Sequence, residues 1–456
     1  MSKSTTTQCL FPDLFDKPVL ARFDVAHGSS DGGALLLKAA NRRLGLVEAM
    51  ASCVVDLREP HKVVHETSEL MGQRIYGLAC GYADCNDAGR LGADPIHKAL
   101  IDRDPVDGED LGSQPTLSRL ENSPGPRELY RMAEVLLDRI VQRHRKRLRR
   151  KVQRITIDLD VTDDPTHGSQ QLSLFNGYYD TYCYLPLLGF VRFDDEPEQY
   201  LCAAMLRPGK ASCSEGAVGM LRRLLRRLRA AFPRARFLVR LDGGFASPKL
   251  LEFLDEQPQV AYVIGFPGNP VLQRRVAPSL ARVRRRVRRG GQSAREYGHL
   301  FYAAGSWKHL RRVVFKAEVL RHEGRELKDN PRFVVTNLAM IPRRVYELYC
   351  QRGEVENRIK ELQNDMQIDR TSCSRFWANQ FRVLLTTAAY ALMQEVRLWA
   401  KRTHLARAHV NTLRICLIKI GAHVEVSVRR ILVHLPRSFA FLDVWRRVAA
   451  VAARPG

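Results

Sequence analysis

The chain has 456 residues, 45% of them hydrophobic, and its 73 Lys and Arg residues outnumber its 49 Asp and Glu residues, giving a formal net charge of +24. This composition excludes a mainly disordered chain, and the length suits about two to four domains. The longest nearly uninterrupted apolar stretch, residues 383–393, is shorter than a membrane-spanning helix of about 20 residues, and the N-terminus has no apolar secretory segment, so we expect a cytoplasmic protein without a membrane partner.

The first 140 residues are predicted to be mostly helical, with Gly and Pro between the helices. Residues 111–122 indicate a loop that enters a short helix, because Pro115 suits a first helical turn. Residues 154–162 (RITIDLDVT) alternate apolar and polar side chains, which predicts a β-strand. Two strand-like runs, 182–192 and 199–206, follow across an acidic turn, so the three segments predict an antiparallel meander.

Helices and strands then alternate. Residues 214–231 predict an arginine-faced helix, and residues 237–242 (FLVRLD) a short strand that ends in Asp-Gly-Gly. A helix at 247–256 and a strand at 260–266 complete a parallel strand–helix–strand unit attached to the meander.

The remaining chain divides into three predicted parts. Residues 267–340 contain a Gly-Gly turn and several β-like runs, which indicates an inserted β-rich subdomain. A long helix is predicted to begin near Pro342, and most of 342–400 has a helical pattern. Residues 405–456 predict a helix, one strand-like run and a last short helix.

The positive charge is concentrated in three acid-free windows. Residues 143–154, 222–236 and 274–289 hold eight, seven and eight Lys or Arg, while the rest of the chain is nearly neutral. Such patches predict a polyanionic partner. In the middle window, leucines at helical spacing make an ordinary amphipathic helix with a solvated face an equally good interpretation.

The ten cysteines do not indicate a zinc site. They include no Cys-x-x-Cys pair and no Cys/His pair at zinc-binding spacing. Cys80 and Cys85 are the only close pair, and we expect both to be small core residues.

Three acidic residues are candidates for two-metal chemistry, which requires hard oxygen ligands from separate elements. Asp160 ends the first strand, Asp242 ends the strand predicted to lie beside it, and Glu356 lies on the long helix. Asp158 points the same way as Asp160 and is a secondary candidate. Each acid taken alone is also compatible with an ordinary turn or surface position.

The predicted helix adds a geometric relation. Tyr349, Arg352, Glu356 and Gln363 are separated by 3, 4 and 7 residues, which places them on one helical face. The simpler alternative is an exposed helix in which Glu356 forms i, i+4 pairs with Arg352 and Lys360.

At these residues the chain resembles the DDE transposases of bacterial insertion sequences, in the branch with a Tyr-Arg-Glu-Lys signature. The resemblance covers nearly the whole chain, and further stretches are similar to the insertion-sequence family numbered thirteen-eighty. The lysine expected seven residues after the glutamate is Gln363 here, with Lys360 as a candidate substitute. The motifs are Asp160-x-Thr162, Leu241-Asp242-Gly-Gly-Phe245, Tyr349-x₂-Arg352-x₃-Glu356, Ser113-Gln-Pro-Thr-Leu-Ser-Arg119, His167-Gly-Ser-Gln170, Tyr184-Leu-Pro-Leu-Leu188 and Asn357-Arg-Ile-Lys-Glu361.

The resemblance implies an α/β fold in which a ribonuclease-H-like catalytic core is interrupted by a β-rich insertion subdomain. A mainly helical N-terminal region would bind DNA, and a C-terminal region has dimerisation as a candidate role. The implied boundaries are 1–150 for the N-terminal region, 151–266 and 341–400 for the two parts of the core, 267–340 for the insertion and 401–456 for the C-terminal region.

The resemblance also implies the chemistry. Asp160, Asp242 and Glu356 would hold two Mg²⁺ ions, for which Mn²⁺ can substitute, and the enzyme would cut the inverted-repeat ends of its element. The freed 3′-OH would then attack target DNA in a cut-and-paste reaction. A homodimer would hold both ends in a synaptic complex, in the bacterial cytoplasm and on the nucleoid when DNA is bound.

DNA contacts are expected from aromatic and basic residues. Tyr349 and Arg352 would contact backbone phosphate, and Trp307 beside Lys308 would stack on an unpaired base, although a tryptophan packed in a β core is the simpler alternative. Two rivals to the transposase remain, namely a ribonuclease-H-like nuclease without strand transfer and a non-catalytic DNA-binding protein. The other DNA-contact candidates are Arg311, Arg312, Arg284, Arg285, Arg286, Arg119, Lys360 and Gln363.

Overall fold

The computed structural model describes residues 8–11, 14–149 and 151–454. The chain divides into two compact units. The predicted N-terminal region, 1–150, is shared between the units, and the predicted C-terminal region, 401–456, belongs to the first. The first unit consists of Met1–Arg42, Arg58–Ser118 and Glu395–Gly456, and the second of Arg43–Leu57 and Arg119–Gln394.

Helices predominate before residue 150, as the sequence predicts. The predicted loop and short helix at 111–122 are confirmed by a helix that begins at Gln114. In the last helix of this part, Pro126 occupies the first turn and the Glu128 carboxylate accepts a hydrogen bond from the Gly125 amide at 2.7 Å, which satisfies an otherwise unpaired N–H. The elements are β1 (Gln8–Phe11), β2 (Val19–Arg22), β3 (Gly28–Ser29), α1 (Leu35–Leu44), α2 (Leu46–Ala51), α3 (Thr67–Cys80), α4 (Asn86–Leu91), α5 (Pro95–Leu100), α6 (Gln114–Asn122) and α7 (Pro126–Leu148).

A nine-stranded mixed sheet lies at the centre of the second unit. Its path runs β12-β13-β15-β11-β10-β4-β8-β9, β14 pairs with β13, and β5, β7 and β6 form a separate small sheet. The elements in this stretch are β4 (Arg154–Val161), β5 (Asp164–Pro165), β6 (Leu174–Asn176), β7 (Thr181–Tyr184), β8 (Leu187–Phe193), β9 (Tyr200–Met205), α8 (Ala217–Ala231), β10 (Arg236–Leu241), α9 (Pro248–Asp255), β11 (Val260–Phe266), α10 (Pro270–Gly290), β12 (Ala294–Tyr302), β13 (Arg311–Leu320), β14 (Lys328–Asp329) and β15 (Arg332–Thr336).

The predicted parallel unit is confirmed, and so is the predicted meander, except that its second segment, 182–192, is divided into β7 of the small sheet and β8 of the large sheet. β4 pairs antiparallel with β8, and β8 pairs antiparallel with β9. β10 is parallel to both β4 and β11. The protein is therefore a mixed α/β fold in which the carboxyl ends of β4 and β10 lie side by side at one edge of the sheet.

The segment 267–340 contains the strands β12 to β15, in agreement with its predicted β-like runs. It begins with the helix α10, and its strands extend the same sheet because β15 pairs antiparallel with β11. This pairing gives hydrogen-bond partners to the edge of β11 that β10 does not use. The third basic window lies on α10, whose other face is buried through residues such as Val276 and Val283.

Three helices replace the single long helix predicted after Pro342. They are α11 (Pro342–Cys350), α12 (Gly353–Asn364) and α13 (Phe376–Trp399). The chain turns at residues 351–352, next to Gly353, a residue that weakens a helix interior. The apolar residues 383–393 lie within α13 and are buried, as expected for a core helix.

The last part of the chain forms α14 (Val410–Leu413), β16 (Ala422–Ser427), β17 (Arg430–His434) and α15 (Leu442–Ala452). The predicted single strand is therefore a hairpin, and β16 also pairs with β3. Cys80 and Cys85 are buried, as predicted. Nowhere in the described chain is there a helix whose length and hydropathy would allow it to span a bilayer.

Candidate active site

Asp160 and Asp242 lie at the carboxyl ends of neighbouring parallel strands. The register of β4 and β10 pairs Arg240 with Asp158, so Asp242 follows β10 where Asp160 approaches the end of β4. One Asp160 oxygen accepts a hydrogen bond from the Val161 amide at 2.9 Å. Asp242 begins a turn of 3-10 helix, and its Oδ1 accepts from the Gly244 amide at 2.8 Å. The backbone therefore holds both carboxylates at one sheet edge.

Arg352 joins these carboxylates to Glu356. Its Nη2 lies 2.7 Å from Asp160 Oδ2 and 3.5 Å from Asp242 Oδ2, and its Nη1 lies 4.0 Å from Glu356 Oε1. Arg352 is in the turn before α12, and Glu356 is in the first turn of that helix. One guanidinium thus lies among the three carboxylates that the sequence singled out.

Burial and like charge perturb this cluster. The pKa of Asp160 is raised to about 6, chiefly by burial; Arg352 acts against the rise, and the negative charges of Asp242 and Glu356 contribute to it. For Arg352, burial acts to lower the pKa, but Asp160 and Asp242 outweigh it and the pKa is raised. The Asp160 carboxyl therefore changes its charge near pH 6, while its arginine partner stays cationic.

The donor set fits a divalent metal ion. Carboxylate oxygens are the ligands that Mg²⁺ prefers, and the Asp242 and Glu356 side chains are 36% and 62% exposed, which leaves a path to solvent. Some groups of acidic, His and Cys side chains among the described residues have all their potential ligand atoms within 4.8 Å of one another. The carboxylates of Asp160, Asp242 and Glu356 do not form such a group. The Arg352 guanidinium occupies the space between the carboxylates, where it neutralises charge that a metal ion would otherwise neutralise.

Tyr349 packs next to the cluster from the end of α11. A Cβ atom added to Gly265 of β11 would lie 2.6 Å from the Tyr349 hydroxyl, so the side chain approaches the strand at a position that has no side chain of its own. Burial raises the pKa of Tyr349, Arg352 acts against this, and Asp242 adds to it. The hydroxyl therefore stays protonated beside the carboxylates.

Gln363 and Lys360 occupy different surroundings on α12. Gln363 Nε2 donates to Thr162 Oγ1 at 2.8 Å, which links the helix to the residue after β4. Lys360 is exposed. The glutamine at the expected lysine position thus contacts the protein itself.

Asp158, the secondary candidate, lies in a different environment from Asp160. It is 1% exposed and its two oxygens accept hydrogen bonds from Arg240 Nε and Nη2 at 2.8 and 2.7 Å. Gln199 donates to the same carboxylate at 2.9 Å. This acid is engaged in a buried ion pair below the triad.

Trp307 is found in the alternative environment, a packed β core. It is 8% exposed and contacts the rings of Phe266 and Tyr302. Arg311 lies with its guanidinium carbon 5.1 Å from the centre of the Trp307 ring and pairs with Asp255 at 2.7 Å. In this arrangement the indole ring is not offered to a ligand.

The other basic candidates are dispersed over the second unit. Arg312 donates to a backbone carbonyl, and Arg284 pairs with Asp329 at 2.7 Å. Arg286 donates to the carbonyl of residue 295 at 2.8 Å, and Arg285 is exposed on α10. Arg119 is exposed on α6. None of these residues is among the ion pairs of the triad.

One cluster in the first unit was not anticipated from the sequence. Asp31, 0% exposed, lies 2.8 Å from His97 Nε2 and 2.8 Å from Lys419 Nζ, with Cys80 close by. Four separated segments of chain contribute, so no spacing rule identifies the cluster. The lysine already neutralises Asp31, which makes the group a buried ion pair that connects these segments.

The family described as Transposase DDE domain group 1 matches residues 11–454. No curated protein matches the chain.

Proposed function

Because the chain belongs to the family of the transposase DDE domain, group 1, we propose that it is a DNA transposase that cuts the inverted-repeat ends of an insertion sequence and joins them to target DNA. The proposal includes a ribonuclease-H-like catalytic core, a DDE centre made of Asp160, Asp242 and Glu356, and a homodimer that pairs the two ends. The observation that supports it best is the convergence of these three carboxylates around one cationic group.

The chemistry requires no energy-rich cofactor. In the first step, water attacks phosphorus and the bond to the 3′ oxygen breaks, which leaves a 3′-OH on the element and a 5′-phosphate on the flank. In the second step, that 3′-OH attacks a target phosphodiester and releases a target 3′-OH. One phosphodiester bond is made for each one broken in the joining step.

Each residue of the centre has a proposed task. DDE transposases use divalent metal ions, which here would be Mg²⁺ or Mn²⁺ held by Asp160, Asp242 and Glu356 to activate the attacking oxygen and stabilise the leaving oxygen. Arg352 keeps the carboxylates together in the free protein and is placed to contact a phosphate oxygen of bound DNA. Tyr349 lines the same edge and orients the DNA backbone by hydrogen bonding.

Gln363 is given a positioning role in this proposal. Its bond to Thr162 fixes α12 against the strand that carries Asp160, and Glu356 is on the same helix. Lys360, one turn after Glu356 and exposed, is left to supply the cationic contact with phosphate.

The experiment uses DNA that carries the genomic ends of the element encoding this chain, with Mg²⁺ and a supercoiled target plasmid. We expect cleavage at the ends and joined products, and we expect loss of both in Asp242→Asn and Glu356→Gln. Glu354→Gln is the matched control, since Glu354 is an exposed acid on the same helix about 200° around the axis from Glu356.

Two results would contradict the proposal in different ways. Cleavage without joined products would identify a nuclease that lacks strand transfer. Stable binding to the ends with no cleavage in Mg²⁺ or Mn²⁺ would identify a non-catalytic DNA-binding protein.

A further inference from the structure

Two hollows in the second unit open beside the α8 helix. The first, about 570 Å³, is lined by Leu129, Tyr130, Met205 and Trp377, with arginines of α8 at its border. The second, about 660 Å³, is lined by Ser214, Ser247, Lys249 and neighbouring residues. Both volumes are in the range of small-ligand pockets, about 300–1,000 Å³. Gly216, Gly219 and Arg222 line both hollows, so the hollows adjoin along α8, and we treat them together as one groove.

The groove lies at the same sheet edge as the triad. Strand register places Val161 opposite Leu187 and Leu187 opposite Met205, so the lining residue Met205 is two strands from the end of β4, or about 10 Å. The second hollow reaches the loop after Asp242. A Cβ atom added to Gly244 would lie 2.8 Å from Cys213 Sγ, and residues on both sides of Cys213 line that hollow.

A buried arginine holds the wall of the groove in place. Arg207 is 3% exposed, and its Nη1 donates to the carbonyls of Ser212 and Glu215 at 2.8 and 2.9 Å. Its Nε donates to the carbonyl of Leu185 at 2.8 Å. The loop between β9 and α8 is therefore organised before any ligand binds.

The floor of the first hollow is aromatic and exposed. Tyr130 and Trp377 are 52% and 40% exposed, so both rings present surface to the solvent in the groove. The guanidinium carbon of Arg223 lies 5.2 Å from the centre of the Tyr130 ring, so one face of the phenol is already in a cation–π contact. Flat aromatic surface beside cations is what stacking on a nucleobase requires.

The border of the groove carries excess positive charge. Arg223, Arg226 and Arg227 all pair with the single carboxylate of Glu134, at 3.7, 3.2 and 2.8 Å. Arg227 also pairs with Asp138 at 3.2 Å. In the second hollow, Lys249 faces the groove with one acid, Glu215. With Arg222 included, five basic side chains share three acids here, which favours an anionic occupant.

We propose that this groove, which we call the flank groove, holds an unpaired stretch of DNA next to the cleaved phosphate, with a base stacked on Tyr130 and Trp377 and the backbone along Arg222 and Lys249. At about 3.4 Å per nucleotide, the distance of about 10 Å between the end of β4 and the lining residue Met205 corresponds to about three nucleotides. The inference rests on the proposed function, because it requires DNA whose end is open at the triad.

A different occupant is an apolar segment of a second copy of the chain. The excess of arginines over acids at the groove disfavours a second copy, because the chain outside the three basic windows is nearly neutral and offers no excess of acids to pair with these arginines. Loss of a dimer in the double variant Tyr130→Ala, Trp377→Ala, with DNA binding unchanged, would establish the second copy as the occupant and overturn the proposal.

The test compares two probes in the full-length Asp242→Asn protein, which separates binding from cleavage. One probe is a blunt duplex, and the other is the same duplex with a three-nucleotide single-stranded flank. We expect the double variant Tyr130→Ala, Trp377→Ala to lose about fivefold to about 150-fold in affinity for the flanked probe and little for the blunt one. Tyr130→Phe should retain binding, because the ring remains.

Controls and cross-linking complete the test. Phe301→Ala removes a ring of similar exposure, 58%, from the edge strand β12, and should change neither affinity. Arg222→Gln should reduce the slope of log K against log salt for the flanked probe by about 0.7, whereas Arg234→Ala, at the opposite sheet edge, should reduce it less. A 5-iodouracil in the flank should cross-link to a peptide that contains Tyr130 or Trp377.

The outcomes are distinct from those of the proposed function. Equal affinity of parent and double variant for the flanked probe, equal loss on both probes, or cross-links confined to other peptides would overturn the flank groove. Absence of cleavage by the protein with its natural Asp242 would overturn the transposase proposal, whereas the flank groove is decided by the two binding assays and the cross-link alone.

Discussion

Replacing Arg352 by glutamine removes the cation that lies among the three carboxylates. Two unit charges 2.7 Å apart, the distance from Arg352 to Asp160, attract by about 6 kcal/mol at an effective dielectric constant of about 20. The cost of removing both ions from water offsets part of this attraction, so the loss of one partner of a buried ion pair typically lowers the free energy of unfolding by about 3–5 kcal/mol. Glu356 adds little, because its side chain is 62% exposed.

Proton uptake by Asp160 limits the loss. With a pKa of about 6, protonating it at pH 7.5 costs about 2 kcal/mol, and a lost hydrogen bond adds about 1 kcal/mol. We therefore expect Arg352→Gln to lower the free energy of unfolding by about 2–3 kcal/mol at pH 7.5. At pH 5 the folded protein already holds this proton, so the expected loss is about 1 kcal/mol or less.

Urea unfolding at both pH values, with and without Mn²⁺, measures these differences. Mn²⁺ should stabilise the variant more than the parent, because the guanidinium no longer competes for the carboxylates. Arg343→Gln is the control, since Arg343 forms an exposed pair with Glu347 and should change stability by less than about 1 kcal/mol. Equal stability of Arg352→Gln and parent at pH 7.5, or a loss that does not shrink at pH 5, would refute the reasoning.

Three further predictions concern acidic residues. Asp158→Asn leaves the buried Arg240 guanidinium without its anionic partner and should destabilise the protein by about 3–5 kcal/mol, whereas Asp242→Asn should leave the urea midpoint nearly unchanged. Burial raises the pKa of Asp164 to about 8, so between pH 5 and pH 8 the folded protein holds a proton that the unfolded chain has released. The free energy of unfolding should therefore fall over this range by on the order of 2–4 kcal/mol relative to Asp164→Asn. Calorimetry measures this difference, and parallel pH profiles of the two proteins would contradict it. Protons compete with metal at Asp160, so Mn²⁺ affinity measured by titration calorimetry should rise with pH up to about 6 and then level off, and a flat profile from pH 5 to pH 7.5 would exclude Asp160 as a ligand.

The positions of Asp160 and Asp242 could be predicted because they depend on strand patterns alone. Alternation in residues 154–162 indicated β4, and the short apolar run before Asp242 indicated a neighbouring parallel strand. The carboxyl ends of parallel neighbours meet at one edge. No side-chain detail was needed for this step, and the structure agrees with it.

The role of Arg352 in the free protein was not predictable from helical spacing. The sequence placed Tyr349, Arg352 and Glu356 on one face of one helix, but the chain turns between α11 and α12. Arg352 is therefore in the turn, and its side chain reaches Asp160 and Asp242 from there. Such a contact depends on the packing of α12 against the sheet, which a one-dimensional pattern does not contain.

Burial of polar and aromatic residues was also beyond a pattern analysis. Asp158 and Asp160 lie on the same face of β4, yet the arginine of the neighbouring strand, Arg240, pairs with Asp158. Trp307 lies in a basic segment, yet its ring packs against Phe266. In both cases the deciding partner is distant in the sequence, so local charge and periodicity carry no information about it.

The three basic windows illustrate how the sheet direction decides which charges can meet the substrate. The window 143–154 immediately precedes β4 in the sequence, but the parallel pairing of Arg154 with Arg236 places this end of the strand at the edge opposite the triad. α8 runs the other way, from the triad edge at Ala217 to the opposite edge at Ala231. Only the first half of the middle window, with Arg222 and its neighbours, therefore reaches the flank groove. Proximity in the sequence to the strand that carries Asp160 favours the first window. Strand polarity instead favours the middle window, for which the sequence supports an ordinary amphipathic helix equally well.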